Sequence, residues 1–504
     1  MYRISKSKYT AFVTCPKQFW LHCHKPELFV PDASLEARFE QGNEAGVFAH
    51  GLFGGLVDTF KRLPNGKPDI ATMVAKTKDL VVADCPAIAE AAFSSDDVYA
   101  AVDILKNNFD GTWDLYEVKS STGRKLIYLH DVAFQRYVLS QCGIKVRACH
   151  LAYVNNKYIR KGTVNPHELF VIEDVTGLVV QDEFSRDIGI RVKEAQGVYA
   201  GTEPKNDICA NCFSNYKCAF WEYCSAHLPS NSIFSFRGDS GFSKKKKFEY
   251  YKKGIVSFED VRKSGIKLGD IRQRHLDSVL GNKPMYVDKA AVQGFLSTIK
   301  FPAYFFDFET YSAVIPIYDG QRPYQQIPCQ YSLHILKDKN ADTMEHREFL
   351  SDESKNDLRT LAERIVADIP RNGGSIIVYT DFESTRLKEM ADEFPDLKEH
   401  LHDIIFRIVD LYDVFRGGMM YCKEMGGSFS VKSVLPALCP NNPDLDYSLL
   451  DDIHNGTEAM TAFLALKKME ATERNRIRQS LLAYCKLDTL AMAEIYKELC
   501  LQTA

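Results

Sequence analysis

The sequence lacks the features that mark membrane, secreted and fibrous proteins. None of its 504 residues fall in an apolar run long enough to cross a bilayer, and no repeat or low-complexity segment occurs. The first residues, Met1-Tyr-Arg-Ile-Ser-Lys-Ser-Lys, are polar and lack the apolar segment of a secretory signal. We therefore expect a cytoplasmic protein with no membrane partner.

The chain also lacks a strong excess of charge of either sign. Its formal net charge is −4, so any surface for a polyanionic partner must be local. In a reducing compartment its 14 cysteines do not predict a disulfide framework. They predict either scattered core thiols or a metal or cluster site. The length is sufficient for two or three domains.

One stretch, Ala303-Tyr-Phe-Phe-Asp-Phe-Glu-Thr-Tyr311, carries two carboxylates through an apolar segment. Its aromatic residues predict a buried strand bounded by Pro302. Alternate residues of a strand share a face, so Asp307 and Glu309 point the same way, roughly 7 Å apart at Cα. Two carboxylates there require a cation, and a pair of Mg²⁺ or Mn²⁺ ions is the simplest choice. The alternative is a solvated edge strand.

An earlier pair of predicted strands carries a second set of acids. The Asp-Gly step of the turn at residues 107–111 predicts a hairpin between residues 99–105 and 112–121. Asp103 lies on the first strand, and Glu117 and Lys119 share a face of the second. Such acids can hold a metal against a scissile phosphate, while the lysine steers the attacking water. The alternative is a salt-bridged pair of exposed strand charges.

Four thiols are concentrated in one short segment, with the spacing Cys209-x2-Cys212-x5-Cys218-x5-Cys224. Thiolates this close together attract a soft or borderline metal, and four ligands make a closed site. The next segment, residues 229–298, is a linker followed by short helical patterns. It contains a basic run at residues 244–247, for which a solvated face is the preferred interpretation and a nucleic-acid contact the alternative.

The hairpin, its Asp and Glu-x-Lys residues, and the glutamine-bearing helix that follows resemble the PD-(D/E)XK nucleases of the RecB-like type. The resemblance implies that Asp103 and Glu117 are catalytic metal ligands and that Lys119 is catalytic. It implies that Gln135 supports the site. Two further candidates match less closely: Glu90, and His50 in a helical pattern over residues 35–57. For His50 a partly exposed helix histidine is the preferred interpretation.

Iron–sulfur members of that nuclease type combine one cysteine near the N-terminus with three near the end of the domain. By this resemblance Cys15, Cys212, Cys218 and Cys224 hold a structural [4Fe–4S] cluster, and Cys209 is left over. A local Zn site that uses Cys209 instead of Cys15 is the alternative.

From residue 299 onward, apolar strands alternate with helices. Acids follow two of the strand-like runs, and the last long helix carries Tyr484 and Asp488 on one face. This order of motifs resembles the DEDD exonucleases of the RNase H-like fold in their tyrosine form. The resemblance implies metal ligands at Asp307, Glu309, Glu383 and Asp488, and a water-orienting phenol at Tyr484. Asp410 and Lys432 are secondary candidates.

Nearly the full length also resembles an uncharacterised bacterial family that couples these two kinds of domain. The shared motifs are Asp-Phe-Glu-Thr310, Arg322-Pro-Tyr324 and Gln330-Tyr-Ser-Leu-His334. The expected fold is a multidomain α/β one. A restriction-endonuclease-like PD-(D/E)XK domain spans residues 1–228, a helical connector 229–298, and an RNase H-like domain 299–504.

The resemblances imply a metal-dependent nuclease with two active sites, which cleaves nucleic-acid phosphodiesters. Single strands or ends of DNA are the expected substrate, although the sequence does not separate DNA from RNA. The main alternative is a nucleic-acid-binding or scaffold protein with one inactive site. A third interpretation, a phosphohydrolase acting on nucleotides, requires a closed pocket.

Overall fold

The computed structural model describes residues 4–31, 33–213, 217–237, 242–281, 283–440 and 442–503. The chain forms two compact units. The first consists of Met1–Ala226 and Ala313–Gln325, and the second of His227–Ser312 and Gln326–Ala504. Each unit is an α/β structure built around a mixed sheet, so the protein is a multidomain α/β protein.

The sheet of the first unit has the order β2-β3-β4-β5-β6-β7, and β1 pairs in parallel with β4. The central strands β3, β4 and β5 are antiparallel, and β5 then pairs in parallel with β6. The strands of this unit are β1 (Ile4–Ser5), β2 (Leu56–Asp58), β3 (Ala87–Ser94), β4 (Val98–Asn107), β5 (Trp113–Lys119), β6 (Val146–Val154) and β7 (Phe170–Asp174). The predicted hairpin therefore forms, as β4 and β5.

Helices cover the sheet of the first unit, and α5 packs its buried face against β4 and β6. The helices are α1 (Lys6–Thr14), α2 (Pro16–His24), α3 (Ala33–Ala49), α4 (Ile70–Val82), α5 (Leu126–Gln141), α6 (Pro166–Leu169), α7 (Thr176–Val179), α8 (Asp182–Ser185), α9 (Ile188–Ala200) and α10 (Trp221–Cys224). Ser5 caps α1 by accepting a hydrogen bond from the backbone N–H of Lys8.

The helical pattern over residues 35–57 is only partly helical. Helix α3 ends at Ala49, and residues 56–58 form β2 beside β3. Gly54 and Gly55 separate the two elements, and Gly55 has φ +69°, a conformation that other residues rarely adopt. The prediction of a helix to residue 57 was wrong because these glycines interrupt it.

The sheet of the second unit has the order β11-β10-β9-β12-β13. Strand β9 is antiparallel to β10 and parallel to β12, so it is the central strand. The strands are β8 (Met285–Val287), β9 (Ala303–Tyr311), β10 (Ile327–Leu336), β11 (Glu345–Leu350), β12 (Ile376–Val378), β13 (Ile408–Asp410) and β14 (Met420–Cys422), with β8 paired to β14. The predicted strand at Ala303–Tyr311 is confirmed, and it is not an edge strand.

The helices of the second unit are α11 (Lys244–Lys252), α12 (Phe258–Ser264), α13 (Asp270–Leu280), α14 (Lys289–Leu296), α15 (Leu358–Asp368), α16 (Phe382–Glu393), α17 (Lys398–Phe406), α18 (Tyr412–Arg416), α19 (Val431–Leu438), α20 (Gly456–Ala465) and α21 (Ala471–Thr503). Helix α21 crosses β9, β10 and β11. Its buried residues include Leu481, Tyr484, Cys485 and Asp488. That placement brings polar side chains of α21 to the central strand.

The basic run at residues 244–247 does not form a uniformly solvated face. Lys247 is buried, and its Nζ donates to the backbone oxygen of Phe234 at 3.2 Å and to that of Phe236. The expectation for this lysine was therefore wrong, because its ammonium satisfies carbonyl groups inside the unit. Within the described residues, no helix is both long enough and apolar enough to span a bilayer.

Candidate metal sites

Three carboxylates of the second unit converge on one point. Asp307 and Glu309 extend from the same face of β9, and Asp488 extends toward them from α21. One oxygen of each carboxylate lies within 4.8 Å of the other two. Oxygen atoms at this spacing fit the coordination of a hard divalent ion such as Mg²⁺ or Mn²⁺.

The electrostatics of this cluster favour neutralisation. Burial raises the pKa of Asp307 and of Glu309 well above their usual ranges, and the neighbouring carboxylates raise both further. Burial also raises the pKa of Asp488 to about 6. Three carboxylates that resist ionisation together need either protons or a cation. A divalent cation is the partner that lets all three remain charged at neutral pH.

Two further acids of the predicted set lie beside this cluster. Glu383, in the first turn of α16, interacts with Asp307, and burial raises the pKa of Glu383 to about 8. The Oε2 atom of Glu383 is buried without a hydrogen-bond partner among the described residues. Asp410 instead accepts hydrogen bonds from the backbone N–H groups of Thr380 and Tyr412, each at 2.9 Å. The other oxygen of Asp410, Oδ2, is likewise buried without a hydrogen-bond partner among the described residues, so both acids keep one oxygen for a ligand.

Tyr484 lies at the edge of the acidic cluster, where Lys432 contacts it. The Nζ atom of Lys432 donates to the Tyr484 hydroxyl at 3.2 Å. The hydroxyl of Tyr447 donates to Asp488 Oδ1 at 2.6 Å. The thiol of Cys485 lies 3.6 Å from Asp307 Oδ2. The cluster therefore has a cation and two phenols at its rim, in addition to its carboxylates.

The predicted residues of the first unit form one connected network. Glu117 on β5 is fully buried and receives hydrogen bonds from Lys119 Nζ at 2.5 Å and Gln135 Nε2 at 2.6 Å. Asp103 on β4 accepts from the backbone N–H of Val118 at 2.7 Å. Because Glu117 is buried, these residues are not exposed strand charges, although Lys119 and Glu117 do form the ion pair of that alternative.

Two residues absent from the sequence predictions complete this network. Lys6, in the first turn of α1, lies 3.3 Å from Asp103 Oδ1 and 3.2 Å from Glu117 Oε1. Asp131, one turn before Gln135 on α5, accepts from Lys119 Nζ at 2.7 Å. Asp131 could be suspected from sequence, because it shares the Gln135 face of a helix with many buried residues. For Lys6 no local pattern signals the contact.

Charges in the first site compensate one another. Burial opposes the ionisation of Glu117, but the ammonium groups of Lys119 and Lys6 hold its pKa below the usual range. Burial raises the pKa of Asp103, and the charge of Glu117 raises it further. Burial likewise raises the pKa of Asp131 to about 6. This site therefore already contains two cations among its three acids.

The two weaker candidates of the first unit differ in their surroundings. Glu90, on β3, has φ +51°, and burial followed by the charge of Asp103 raises its pKa to about 7. It therefore lies within electrostatic range of the site. His50 begins a short 3₁₀ turn, His50–Leu52, beyond the end of α3 and is half-buried. His50 is therefore a partly exposed histidine, as expected, but it lies directly after α3 and not within it.

The thiols of the first unit share a separate cavity. It is lined by Cys15, at the junction of α1 and α2, together with Cys209, Cys212, Cys218 and Cys224. The backbone N–H of Cys209 points toward the Cys212 sulfur at 3.5 Å, and the N–H of Cys218 donates to the Cys212 carbonyl. All five thiols therefore line the same cavity, and each is a candidate ligand of a single metal ion or cluster there.

Burial raises the pKa of the Cys212, Cys218 and Cys224 thiols, and the charge of Cys15 raises each of them further. Among the described residues, no three of the sulfur atoms lie within 4.8 Å of one another. Tetrahedral zinc with Zn–S bonds of about 2.3 Å requires sulfur atoms roughly 4 Å apart. The described sulfur atoms therefore do not stand at the spacing of a tetrahedral zinc site.

The fold and sites define a multidomain α/β protein with two separate groups of buried acids. Residues 304–430 match the model of a Domain of unknown function (DUF2779). The matched segment contains Asp307, Glu309 and Glu383 but ends before Tyr484 and Asp488.

The chain is also similar to Uncharacterized protein MG366 of Mycoplasma genitalium. The two are 27% identical over 206 residues, which is 38% of this chain and 31% of that protein. The chain thus spans about a third of the length of the curated relative it matches. Both similarities agree with an uncharacterised family and carry no activity with them.

Proposed function

We propose that this chain is a metal-dependent nuclease that cleaves nucleic-acid phosphodiesters at two sites. The observation that carries the proposal is the convergence of Asp307, Glu309 and Asp488 within 4.8 Å on a central strand. Buried acids in that arrangement can hold divalent cations, and in metal-dependent phosphodiester hydrolysis such cations activate the water and stabilise the developing charge. Single strands or ends of DNA are the proposed substrate.

The topology of each unit supports the fold assignments made from the motifs. In the second unit, three antiparallel strands followed by two parallel ones, in the order β11-β10-β9-β12-β13, agree with an RNase H-like fold. In the first unit, helix α4, the antiparallel strands β3, β4 and β5, helix α5 and the parallel strand β6 agree with a PD-(D/E)XK core. Both assignments remain part of the proposal.

In the second site, Asp307, Glu309, Asp488 and Glu383 would hold Mg²⁺ or Mn²⁺. Bound there, divalent ions supply a more acidic water and a positive charge beside the phosphoryl oxygens. Tyr484 would orient the attacking water through its hydroxyl. Lys432, 3.2 Å from that hydroxyl, keeps a positive charge beside it and favours an approaching phosphate.

In the first site, Asp103 and Glu117 would hold the metal. Lys119 bridges Glu117 and Asp131, so its ammonium is fixed at the edge of the acids, where it can orient water and neutralise the phosphate. Gln135 holds Glu117 Oε2 and thereby sets the orientation of the carboxylate. Asp131 is a positioning residue for Lys119.

The thiol cavity is proposed to hold a [4Fe–4S] cluster through Cys15, Cys212, Cys218 and Cys224. Its contribution would be structural, because it links α1 to the end of the first unit, and ligand binding then adds to the free energy of unfolding. Zinc bound through Cys209 is the alternative ligand set.

Cleavage of labelled single- and double-stranded DNA and RNA, with Mg²⁺, Mn²⁺ or EDTA, tests the proposal. Lys119→Ala should remove one activity and Asp307→Ala the other, while the variant with both changes should be inactive. Lys78→Ala and Asp342→Ala, at exposed positions of the two units, are matched controls. Failure of the wild-type protein to cleave any of the four substrates would refute the proposal.

One contact favours a second candidate, a nucleic-acid-binding protein in which only the second site is catalytic. The ammonium of Lys6 lies within 3.3 Å of both Asp103 and Glu117, where a metal bound by the two acids would have to lie. A permanent Lys6 contact would neutralise the acids without a metal.

Titration of Mn²⁺ by calorimetry separates the two candidates when the second site is disabled by Asp307→Ala. The two-site nuclease predicts that Mn²⁺ still binds to the first unit and that Asp103→Asn removes this binding. The second candidate predicts no binding until Lys6 is changed to Ala.

A further inference from the structure

A large cationic cavity lies in the first unit, next to the proposed first site. It has a volume of about 850 Å³ and is lined by residues 120–125, which directly follow Lys119, and by residues 322–325. Four of the lining side chains are cationic: Arg38, Arg124, Lys125 and Arg322. Of these, Arg124 forms an ion pair with Glu173, which is not a lining residue, at 3.0 Å. No carboxylate is among the described residues that line it. In a chain of net charge −4, this is a local surface for an anion.

The segment that brings Arg322 to this cavity lies, in the chain, between two paired strands of the second unit. Residues 313–325 connect β9 to β10 along the chain, yet they belong to the first unit. Val314 is fully buried in an apolar cluster with Tyr116 and Tyr158. The Nη1 atom of Arg160 donates to the Pro316 carbonyl at 2.8 Å. These contacts fix the segment on the first unit.

The Arg322-Pro-Tyr324 motif is held in a defined turn. The backbone N–H of Arg322 donates to Gln325 Oε1 at 3.0 Å. Tyr324 has φ +61°, and its hydroxyl donates to the carbonyl oxygen of Ser120. An aromatic residue rarely adopts a positive φ, and such backbone strain is concentrated at functional sites. The Arg322 side chain remains exposed at the cavity.

The cavity and the first site share residues. Ser120, whose carbonyl oxygen accepts a hydrogen bond from the Tyr324 hydroxyl, is the next residue after Lys119. The ring of Tyr128, which lines the cavity, lies 5.1 Å from Lys119 Nζ and 5.9 Å from Lys125 Nζ. An anion bound in the cavity is therefore adjacent to the group proposed to act on the scissile phosphate.

We propose that this cavity binds the phosphate backbone of a single-stranded nucleic acid on its way to the first site, with Arg322 as a positioning residue. The inference rests on the proposed nuclease function of that site. Guanidinium and ammonium groups beside hydroxyl side chains match phosphodiester oxygens, and they make no demand on base sequence. The segment at residues 313–325 therefore supplies part of the substrate path of the first unit.

Fluorescence anisotropy with a 5′-labelled oligothymidylate of 20 nucleotides, in EDTA to prevent cleavage, tests the inference on the full-length protein. Arg322→Ala should raise Kd about tenfold and lower the slope of log Kd against log salt concentration by about 0.7, the value for one phosphate contact on a single strand. Arg322→Lys should keep most of the slope. Arg62→Ala, an arginine over Phe60 and outside the cavity, is the matched control.

Three results would overturn the inference: an unchanged Kd for Arg322→Ala, no binding of the oligonucleotide by the wild-type protein, or equal competition by ATP at the same phosphate concentration. The last result would indicate a mononucleotide site. Failure of the proposed nuclease function alone would give a different result. The wild-type protein would still bind the oligonucleotide and Arg322→Ala would bind it more weakly, but no substrate would be cleaved with Mg²⁺ or Mn²⁺.

Discussion

Asp488→Asn is expected to stabilise the metal-free protein while removing its response to divalent ions. The change deletes one charge from the carboxylate cluster and preserves side-chain shape. The new amide oxygen can still accept the hydrogen bond that Tyr447 donates at 2.6 Å. The perturbation is therefore electrostatic, with little loss of packing.

The magnitude follows from the geometry. The oxygen atoms of Asp488 and its two neighbours lie within 4.8 Å. At that separation and an effective dielectric constant of about 20, each charged pair repels by roughly 3.5 kcal/mol. Protonation of one carboxyl at pH 7 costs about 4 kcal/mol and leaves one charged pair, so the total cost in the wild-type protein is about 7.5 kcal/mol. The Asn variant keeps only the one charged pair, and the relief of about 4 kcal/mol should raise the Tm of the second unit by roughly 8–16 °C.

Thermal unfolding at pH 7, in EDTA and in a Mn²⁺ series, measures both effects. Wild-type protein should gain about 2.7 kcal/mol of stability at a Mn²⁺ concentration one hundred times its Kd. In EDTA the Asp488→Asn variant should have a higher Tm than the wild-type protein, and Mn²⁺ should raise the Tm of the variant only slightly. Asp342→Asn, at an exposed position of the same unit, should behave as wild type. If Asp488→Asn lowered the Tm in EDTA, or kept the full Mn²⁺ shift, the carboxylates would not form a metal site.

Three further changes test other parts of the molecule. Tyr484→Phe should lower the second site's cleavage rate by roughly tenfold to a thousandfold and leave the Mn²⁺ shift in Tm intact. Cys218→Ser should remove absorbance near roughly 400 nm from anaerobically purified protein, whereas Cys142→Ser should not. Burial holds the pKa of His275 at about 4, so its stabilising contribution is complete above about pH 6.5 and lost as pH falls toward 4. Chemical unfolding at pH 7 and pH 4.5 should therefore show a loss of about 2–3 kcal/mol that is absent in His275→Phe.

Each of these expectations has a contrary result. Full cleavage activity in Tyr484→Phe would make Tyr484 a packing residue beside Lys432. Colourless wild-type protein with stoichiometric zinc would favour the Cys209 ligand set. An unchanged loss of stability between pH 7 and pH 4.5 in His275→Phe would assign that loss to other groups.

Sequence predicts best those features that depend on neighbouring residues. Strand β9 and the β4–β5 hairpin follow from alternation and from an Asp-Gly turn, and both form where they were expected. The shared face of Asp307 and Glu309 follows from strand periodicity alone. The convergence of Asp488 on them depends on how α21 crosses the sheet, which only the motif resemblance indicated.

Long-range contacts account for what the sequence did not reveal. Lys6 reaches Glu117 across 111 positions of the chain, so no spacing rule connects them. The assignment of residues 313–325 to the first unit depends on buried contacts of Val314 and Arg160. Lys247 is part of a basic run that sequence reasoning places in solvent, yet carbonyl groups inside the unit accept its hydrogen bonds.

The two sites meet the same electrostatic problem in different ways. In the first, Lys6 and Lys119 already lower the pKa of Glu117, so the buried acids are partly neutralised by the protein. In the second, within the described part of the chain, Lys432 is the one cation that lowers the pKa of both Glu309 and Asp488, and burial outweighs it. A cation from solution therefore has more to contribute at the second site. Metal affinity should accordingly be higher at the second site than at the first. Removal of the Lys6 ammonium should raise the metal affinity of the first site and so reduce the difference between the two sites.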